Sequence, residues 1–278
     1  MKIINNIIKT RAKEINLRFN EKSYVSKPCN NLVEAFPNWK VISDEISKGM
    51  GNELKKNKNN QTQKFCSIFS SSALCVNNFA LIKQNASKIN FLDYGYFDLV
   101  IFEGKVSTGI SSPNLDVLME NENYLCGVES KFTEYFSAKI PDYNSHGKPT
   151  ITNYKNRISK MSFLPDNFEK SLLDYYINKK EKLYLDVAQL IKHSIGLINE
   201  AKKKGKKPVL VYIYWEPQDK NKIKKICENH EEEIKEFKKQ IKGFIEFEAI
   251  SYPKFWNHFE NDPILKNNIT KNRARYLI

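Results

Sequence analysis

Ser112-Pro113-Asn114-Leu115-Asp116-Val117-Leu118-Met119-Glu120-Asn121-Glu122-Asn123-Tyr124-Leu125-Cys126-Gly127-Val128-Glu129-Ser130-Lys131-Phe132 is the stretch that decides the fold of this 278-residue chain. Leu115 to Met119 is a short apolar run interrupted by one acid. Glu120 to Asn123 reads as a tight polar turn, and Tyr124 to Phe132 as a further strand. Two strands about so short a turn predict an antiparallel pair. Alternate residues of a strand point to one face, so Glu129 and Lys131 project together. The turn folds Asp116 back beside Glu129. Two carboxylates and an ammonium are thereby expected to converge on one spot.

Working outward, Tyr96 to Val106 alternates partially and carries β-branched and aromatic residues. It predicts a strand before the pair, hence a three-stranded meander. Upstream again, Phe65 to Ile82 favours a helix, although its run Ser70-Ser71-Ser72 argues against one. Gly49 to Lys64 is polar and reads as a loop or frayed helix end. Downstream, 135–182 yields only a helix near Phe168 to Asn178. Leu185 to Ala201 has apolar residues at helical spacing and predicts an amphipathic helix ended by Gly205. Val209 to Trp215 is apolar enough for a strand buried on both faces. A charged helix from Asn221 to Lys242, a strand near Phe244 to Tyr252 and an aromatic segment around Phe255 to Phe259 follow. The predicted fold is an α/β sandwich on a mixed sheet. Residues 1–48 are expected to be an N-terminal helical extension packed on the core domain of 49–278.

Net charge is +13, from 45 Lys and Arg against 32 Asp and Glu. Polyanions are natural partners for such a surface, because displacing counterions from phosphates favours binding. Lysine bias explains the charge equally well. The five cysteines, Cys29, Cys66, Cys75, Cys126 and Cys227, include no CxxC pair. That argues against a zinc cluster or disulfide framework and for reduced thiols in a cytoplasmic protein. No stretch approaches the roughly 20 apolar residues that span a bilayer.

The converging group has the chemistry of phosphodiester hydrolysis. Two carboxylates, with the carbonyl of Ser130 as an extra ligand, suit Mg²⁺, a hard ion that prefers oxygen. Lys131 can orient a water and neutralise developing charge. An ExK triplet alone says little in a lysine-rich chain: Glu53/Lys55, Glu103/Lys105, Glu200/Lys202, Glu233/Lys235 and Glu236/Lys238 also match. Glu103/Lys105, with Asp93 upstream, is the serious rival, but no convincing hairpin separates Asp93 from Glu103. Only Asp116 and Glu129-Ser130-Lys131 pair an acid on one short strand with ExK on the next.

Asp116 followed by Gly127-Val128-Glu129-Ser130-Lys131 resembles the PD-(D/E)XK nuclease superfamily. With Ser71-Ser72-Ala73-Leu74-Cys75-Val76-Asn77-Asn78-Phe79 upstream and Arg273-Ala274-Arg275-Tyr276 at the end, the match to a bacterial family of restriction-endonuclease-like proteins is closer still. Pro113 is not adjacent to the acid, a departure the pattern tolerates. The resemblance implies an αβββαβ core and a metal-dependent nuclease, with Mn²⁺ able to replace Mg²⁺. It implies that an acid from the first helix, here Glu53, can join the site; a solvated helix-end acid is the alternative. It also implies that a polar residue on the later helix, here Gln189, faces the scissile phosphate. His193 shares that helix face and reads more readily as structural.

Lys139, Lys148, Lys155, Arg157 and Lys160, interleaved with Tyr143 and Tyr154, are the expected DNA contacts, with ordinary charged surface as the alternative. The expected activity is hydrolysis of double-stranded DNA, of type II restriction kind. That would act as a homodimer, beside a cognate methyltransferase encoded nearby. A repair, phage-defence or mobile-element nuclease without strict specificity is the rival. A non-catalytic nucleic-acid-binding protein on the same fold is the third reading.

Overall fold

The computed structural model describes residues 2–15, 19–20, 25–26, 39–49, 64–144 and 147–278. Helix α1 (Lys2–Glu14) is followed by two short paired strands, β1 (Phe19–Asn20) and β2 (Val25–Ser26), and by α2 (Trp39–Lys48). Helix α3 (Ser71–Gln84) leads into β3 (Leu99–Lys105), β4 (Asn114–Glu120) and β5 (Tyr124–Lys131). The connection beyond β5 holds α4 (Ile151–Lys155) and a π-helical turn, Glu169–Asp174, that runs into α5 (Tyr175–Asn178). Then come α6 (Val187–Lys204), β6 (Lys207–Tyr214), α7 (Lys224–Ile241), β7 (Glu246–Ser251), α8 (Tyr252–His258) and α9 (Lys266–Tyr276).

The five long strands form one sheet in the order β3-β4-β5-β6-β7. β3, β4 and β5 are antiparallel neighbours, whereas β6 joins β5, and β7 joins β6, in parallel. The change of direction follows from the connections. A three-residue polar link, 121–123, can only reverse the chain, while α6 and α7 carry it back to the starting end. This is the predicted αβββαβ order on a mixed sheet, with a helix and strand appended: the restriction-endonuclease-like arrangement.

The two faces of the sheet are covered by different helices, as alternation along β5 reveals. Ser130 turns its hydroxyl to the Tyr252 hydroxyl on α8, 2.8 Å away. Its neighbours Glu129 and Lys131 face α6, where they meet His193 and Gln189. Central strand β6 is buried from Val209 to Tyr214, as its unbroken apolar run requires.

The outer edge of β3 is covered by α2. Glu45 accepts the Phe102 N–H at 2.9 Å and the Lys83 ammonium at 2.9 Å, and Lys83 in turn donates to the Val100 carbonyl. A paired edge cannot template another strand. Ile4, Ile8, Ile42 and Ile46 of α1 and α2 belong to the same continuous apolar core as the sheet.

Two sequence expectations fail. Cys66 is disulfide-bonded, to a partner outside the described residues, while Cys75, Cys126 and Cys227 are free and buried. An odd cysteine count and the absence of CxxC do not forbid a single bridge between distant positions. Helix α3 starts at Ser71 and not near Phe65, because the serine run begins the helix: Ser70 Oγ accepts the Ala73 N–H at 3.0 Å. Among the described residues no helix is long and apolar enough to cross a membrane.

Candidate active site

Asp116 is positioned by the register of β4 against β5. Val117 pairs with Val128 and Leu118 with Gly127, so the next step of the antiparallel ladder sets Asp116 opposite Glu129. Directly opposed residues share a face of the sheet. The ladder itself stops at Val117, and Asp116 Oδ2 accepts the Ser130 N–H at 2.7 Å. The carboxylate therefore ties its strand to the residue between Glu129 and Lys131.

Glu129 is almost fully buried, at 2% exposure. Its Oε1 lies 2.5 Å from Lys131 Nζ, and Lys131 also donates to Gln189 Oε1 at 2.8 Å. His193 Nε2 stands 3.0 Å from Glu129 Oε2, in ion-pair range but out of line for a hydrogen bond. Gln189 and His193 are one turn apart on α6, so the same helix face reaches both the lysine and the acid. Asp186 caps this helix by accepting the Gln189 N–H at 3.2 Å, and Gly205 ends it in the left-handed conformation at φ 65°. Gly127 lets α6 sit close: a Cβ there would lie 2.6 Å from Leu115 Cδ1 and 2.9 Å from Leu197 Cδ1.

The electrostatics are unequal. Burial, and next the charge of Glu129, push the Asp116 carboxyl well above the usual carboxylate range, against the pull of Lys131. Burial would raise Glu129 too, but Lys131 and His193 outweigh it and draw the group down to about 2. Lys131 is held charged by Glu129, Glu134, Asp116 and Asp186 despite burial. Burial depresses His193, against the opposing charge of Glu129.

A divalent cation fits this set. The strained partner is Asp116, whose negative charge is disfavoured by burial and then by a second carboxylate, and compensated only in part by Lys131. Added positive charge would relieve that repulsion, and oxygen donors suit a hard ion. Among the described residues no three His, Cys, Asp or Glu side chains converge on a metal position. The carboxylates that would hold an ion here are those of Asp116 and Glu129.

Sequence reasoning passed over two residues of this site. Glu103, dismissed with its rival triplet, interrupts the ladder between the pairs Phe102–Val117 and Gly104–Leu115, which sets it across from Asp116. Its φ is +52°, its Oε2 accepts the Asn114 amide at 3.1 Å, and its charge also raises the Asp116 carboxyl. Counting the β3–β4 register would have found it; a search for an upstream acid partner led to Asp93 instead. His193 had been read as structural, and only tertiary packing brings it to Glu129.

The predicted DNA contacts separate. Lys139 is paired with Asp186 at 2.8 Å, and Lys155 with Asp174 at 2.6 Å. Lys148 lines a cleft beside α6, and Arg157 and Lys160 are exposed beyond α4. Glu53 lies outside the described residues.

The upstream asparagines serve packing. Asn77 donates to the Tyr276 hydroxyl at 2.8 Å, and Asn78 accepts the Trp256 indole N–H at 2.7 Å. Asn268 and Asn272 donate to the Asn77 carbonyl, so a buried amide network locks α3 to α8 and α9.

No curated protein and no solved structure matches the chain. A family model described as restriction endonuclease associating with ARP matches residues 7–277, and the chain belongs to that family, a nuclease family of restriction-endonuclease type.

Proposed function

We propose that this protein is a Mg²⁺-dependent endodeoxyribonuclease that hydrolyses phosphodiester bonds of double-stranded DNA, working as a type II restriction enzyme. The observation that carries the reading is the register of β4 on β5, which sets Asp116 opposite Glu129 while Lys131 bonds both Glu129 and Gln189. Asp116 and Glu129 would hold the ion, with the Ser130 carbonyl as a further oxygen donor. Bound there, Mg²⁺ would lower the pKa of a coordinated water and take up charge on the phosphate. Mn²⁺ would substitute, having similar oxygen preference.

Lys131 stays protonated beside the acids, so its role is to orient the attacking water and to neutralise charge on the phosphate oxygens. Gln189 fixes the direction of that ammonium through its Oε1 and leaves its amide N–H groups to the substrate side. His193 packs against the far oxygen of Glu129, 3.0 Å away. No side-chain nucleophile is needed, and the expected products carry 5′-phosphate and 3′-hydroxyl ends. Cutting both strands at a symmetric sequence requires two such sites, which a homodimer supplies. Protection of host DNA would then call for a cognate methyltransferase.

The test is cleavage of several unrelated plasmids by the purified protein, with Mg²⁺ or with EDTA. Discrete, reproducible fragments that require Mg²⁺ support the reading. A smear would replace it with a repair or defence nuclease of low specificity. DNA retained in EDTA but intact in both Mg²⁺ and Mn²⁺ would leave a binding protein on a nuclease fold.

A further inference from the structure

Beside the acid pair, α6 and the segment leading to α4 enclose a cleft of about 210 Å³, lined by Asn144, Thr150, Asp186, Ala188, Gln189 and Lys192. It adjoins a wider one of about 490 Å³ that shares Asn144, Thr150 and Lys192 and extends to Lys148 and Asn153. Lys192 therefore lines both halves of a single groove. It follows Gln189 by three residues on α6, so the two side chains lie on one helix face. Gln189 in turn holds Lys131. A chain of polar groups thus runs from Glu129 through Lys131 and Gln189 to Lys192.

The groove is electrostatically one-sided. Among the described residues Asp186 is the one carboxylate lining it, and that group is already engaged by Lys139 at 2.8 Å and by the Gln189 N–H. Lys192 makes no hydrogen bond or ion pair among the described residues. Burial pulls its pKa below that of an ordinary lysine, against the opposing fields of Glu129 and Asp186. A partly desolvated cation without a partner is unfavourable, and an anion in the groove would offset the cost. Thr150 and Asn153 on the facing wall supply neutral hydrogen-bonding groups of the kind that accept a sugar–phosphate chain.

We propose that Lys192 binds a backbone phosphate of the substrate strand next to the one being cut, and that the groove between α6 and the wall of Asn144 and 148–156 is the track for that strand. The assignment rests on the nuclease reading. It places the strand three residues along α6 from Gln189, a rise of about 4.5 Å.

The test uses a fluorescein-labelled DNA duplex, full-length protein and EDTA, with anisotropy titrations over a range of KCl. Lys192→Met keeps the stem and removes the charge; Lys192→Arg keeps the charge. Loss of one phosphate contact should lower the slope of log affinity against log salt by about 0.9. Binding should weaken about three- to tenfold for Met. Arg should bind within about threefold of wild type, and neither variant should melt below wild type. An unchanged slope for Lys192→Met, equal weakening by Met and Arg, or a wild-type protein that does not bind the duplex would overturn the assignment. Wild-type cleavage in Mg²⁺ is measured alongside. If it fails while the slope still drops, the nuclease reading falls and the phosphate site stands. If it succeeds with an unchanged slope, the reverse holds.

Discussion

Asp116 carries the sharpest consequence at the scale of single residues. Its carboxyl is raised by burial and by Glu129, so folding makes it a weaker acid. A carboxyl whose pKa rises on folding loses stability as pH climbs from its unfolded value through its folded one, and the full cost is present above both. At neutral pH without metal, Asp116→Asn should therefore raise the thermal midpoint, because the amide mimics the neutral form. With Mg²⁺ the order should reverse, since wild type gains from binding and the variant does not. Scanning calorimetry in EDTA and in Mg²⁺ checks both signs; a variant less stable in EDTA, or equally stabilised by Mg²⁺, contradicts the account.

Asp116, Glu129 and Lys131 were legible in the sequence because the period of a strand and a four-residue turn leave little freedom in register. Glu103 was not, since the ladder skips its pair and the residue adopts a left-handed φ that no strand pattern announces. His193 was ambiguous because a buried histidine on an amphipathic helix reads the same whether it packs or holds an acid.

At the scale of elements, the contact of α6 with β5 sets the site. Gly127→Ala would press a methyl into Leu115 and Leu197. Overpacking of this kind costs about 1–3 kcal/mol. The helix would have to shift, carrying Gln189 and His193 with it. The expected outcome in urea titration is a stability loss of that size. Cleavage should fall further than the folded fraction does; activity that merely tracks the folded fraction would contradict the positioning role of α6.

The strands and α6 were readable to within a few residues, because apolar periodicity reports burial directly. Helix α9 escaped because its buried face consists of Asn268, Ile269, Asn272 and Tyr276. Amides buried in a hydrogen-bonded network look like solvent-facing residues in the sequence. The serines before α3 misled for a related reason: a capping residue is polar at the point where the helix begins.

For the whole molecule, one apolar core extends from α1 through the sheet to α9. Glu45 of α2 occupies the edge of β3, and Arg11 of α1 donates through its Nε to the Ala274 carbonyl at 2.8 Å. A chain lacking residues 1–48 would expose four isoleucines, leave the Phe102 N–H without its acceptor and leave Lys83 without its carboxylate. It should aggregate or melt at a clearly lower temperature, as light scattering during a thermal scan would record. An unchanged midpoint would show that the first helices are dispensable. On the proposed reading the net charge of +13 and the groove beside Lys192 act at this scale too: the first would draw DNA to the surface and the second would orient it.

The most direct measurement is Mg²⁺-dependent plasmid cleavage by wild type and Asp116→Ala, purified side by side and matched for folded content. The account predicts cutting by wild type that EDTA stops. It also predicts a rate for the variant lower by about two to three orders of magnitude, the loss typical of removing a key charge-stabilising group. Undiminished cutting by Asp116→Ala, or wild-type cutting in EDTA, would contradict it.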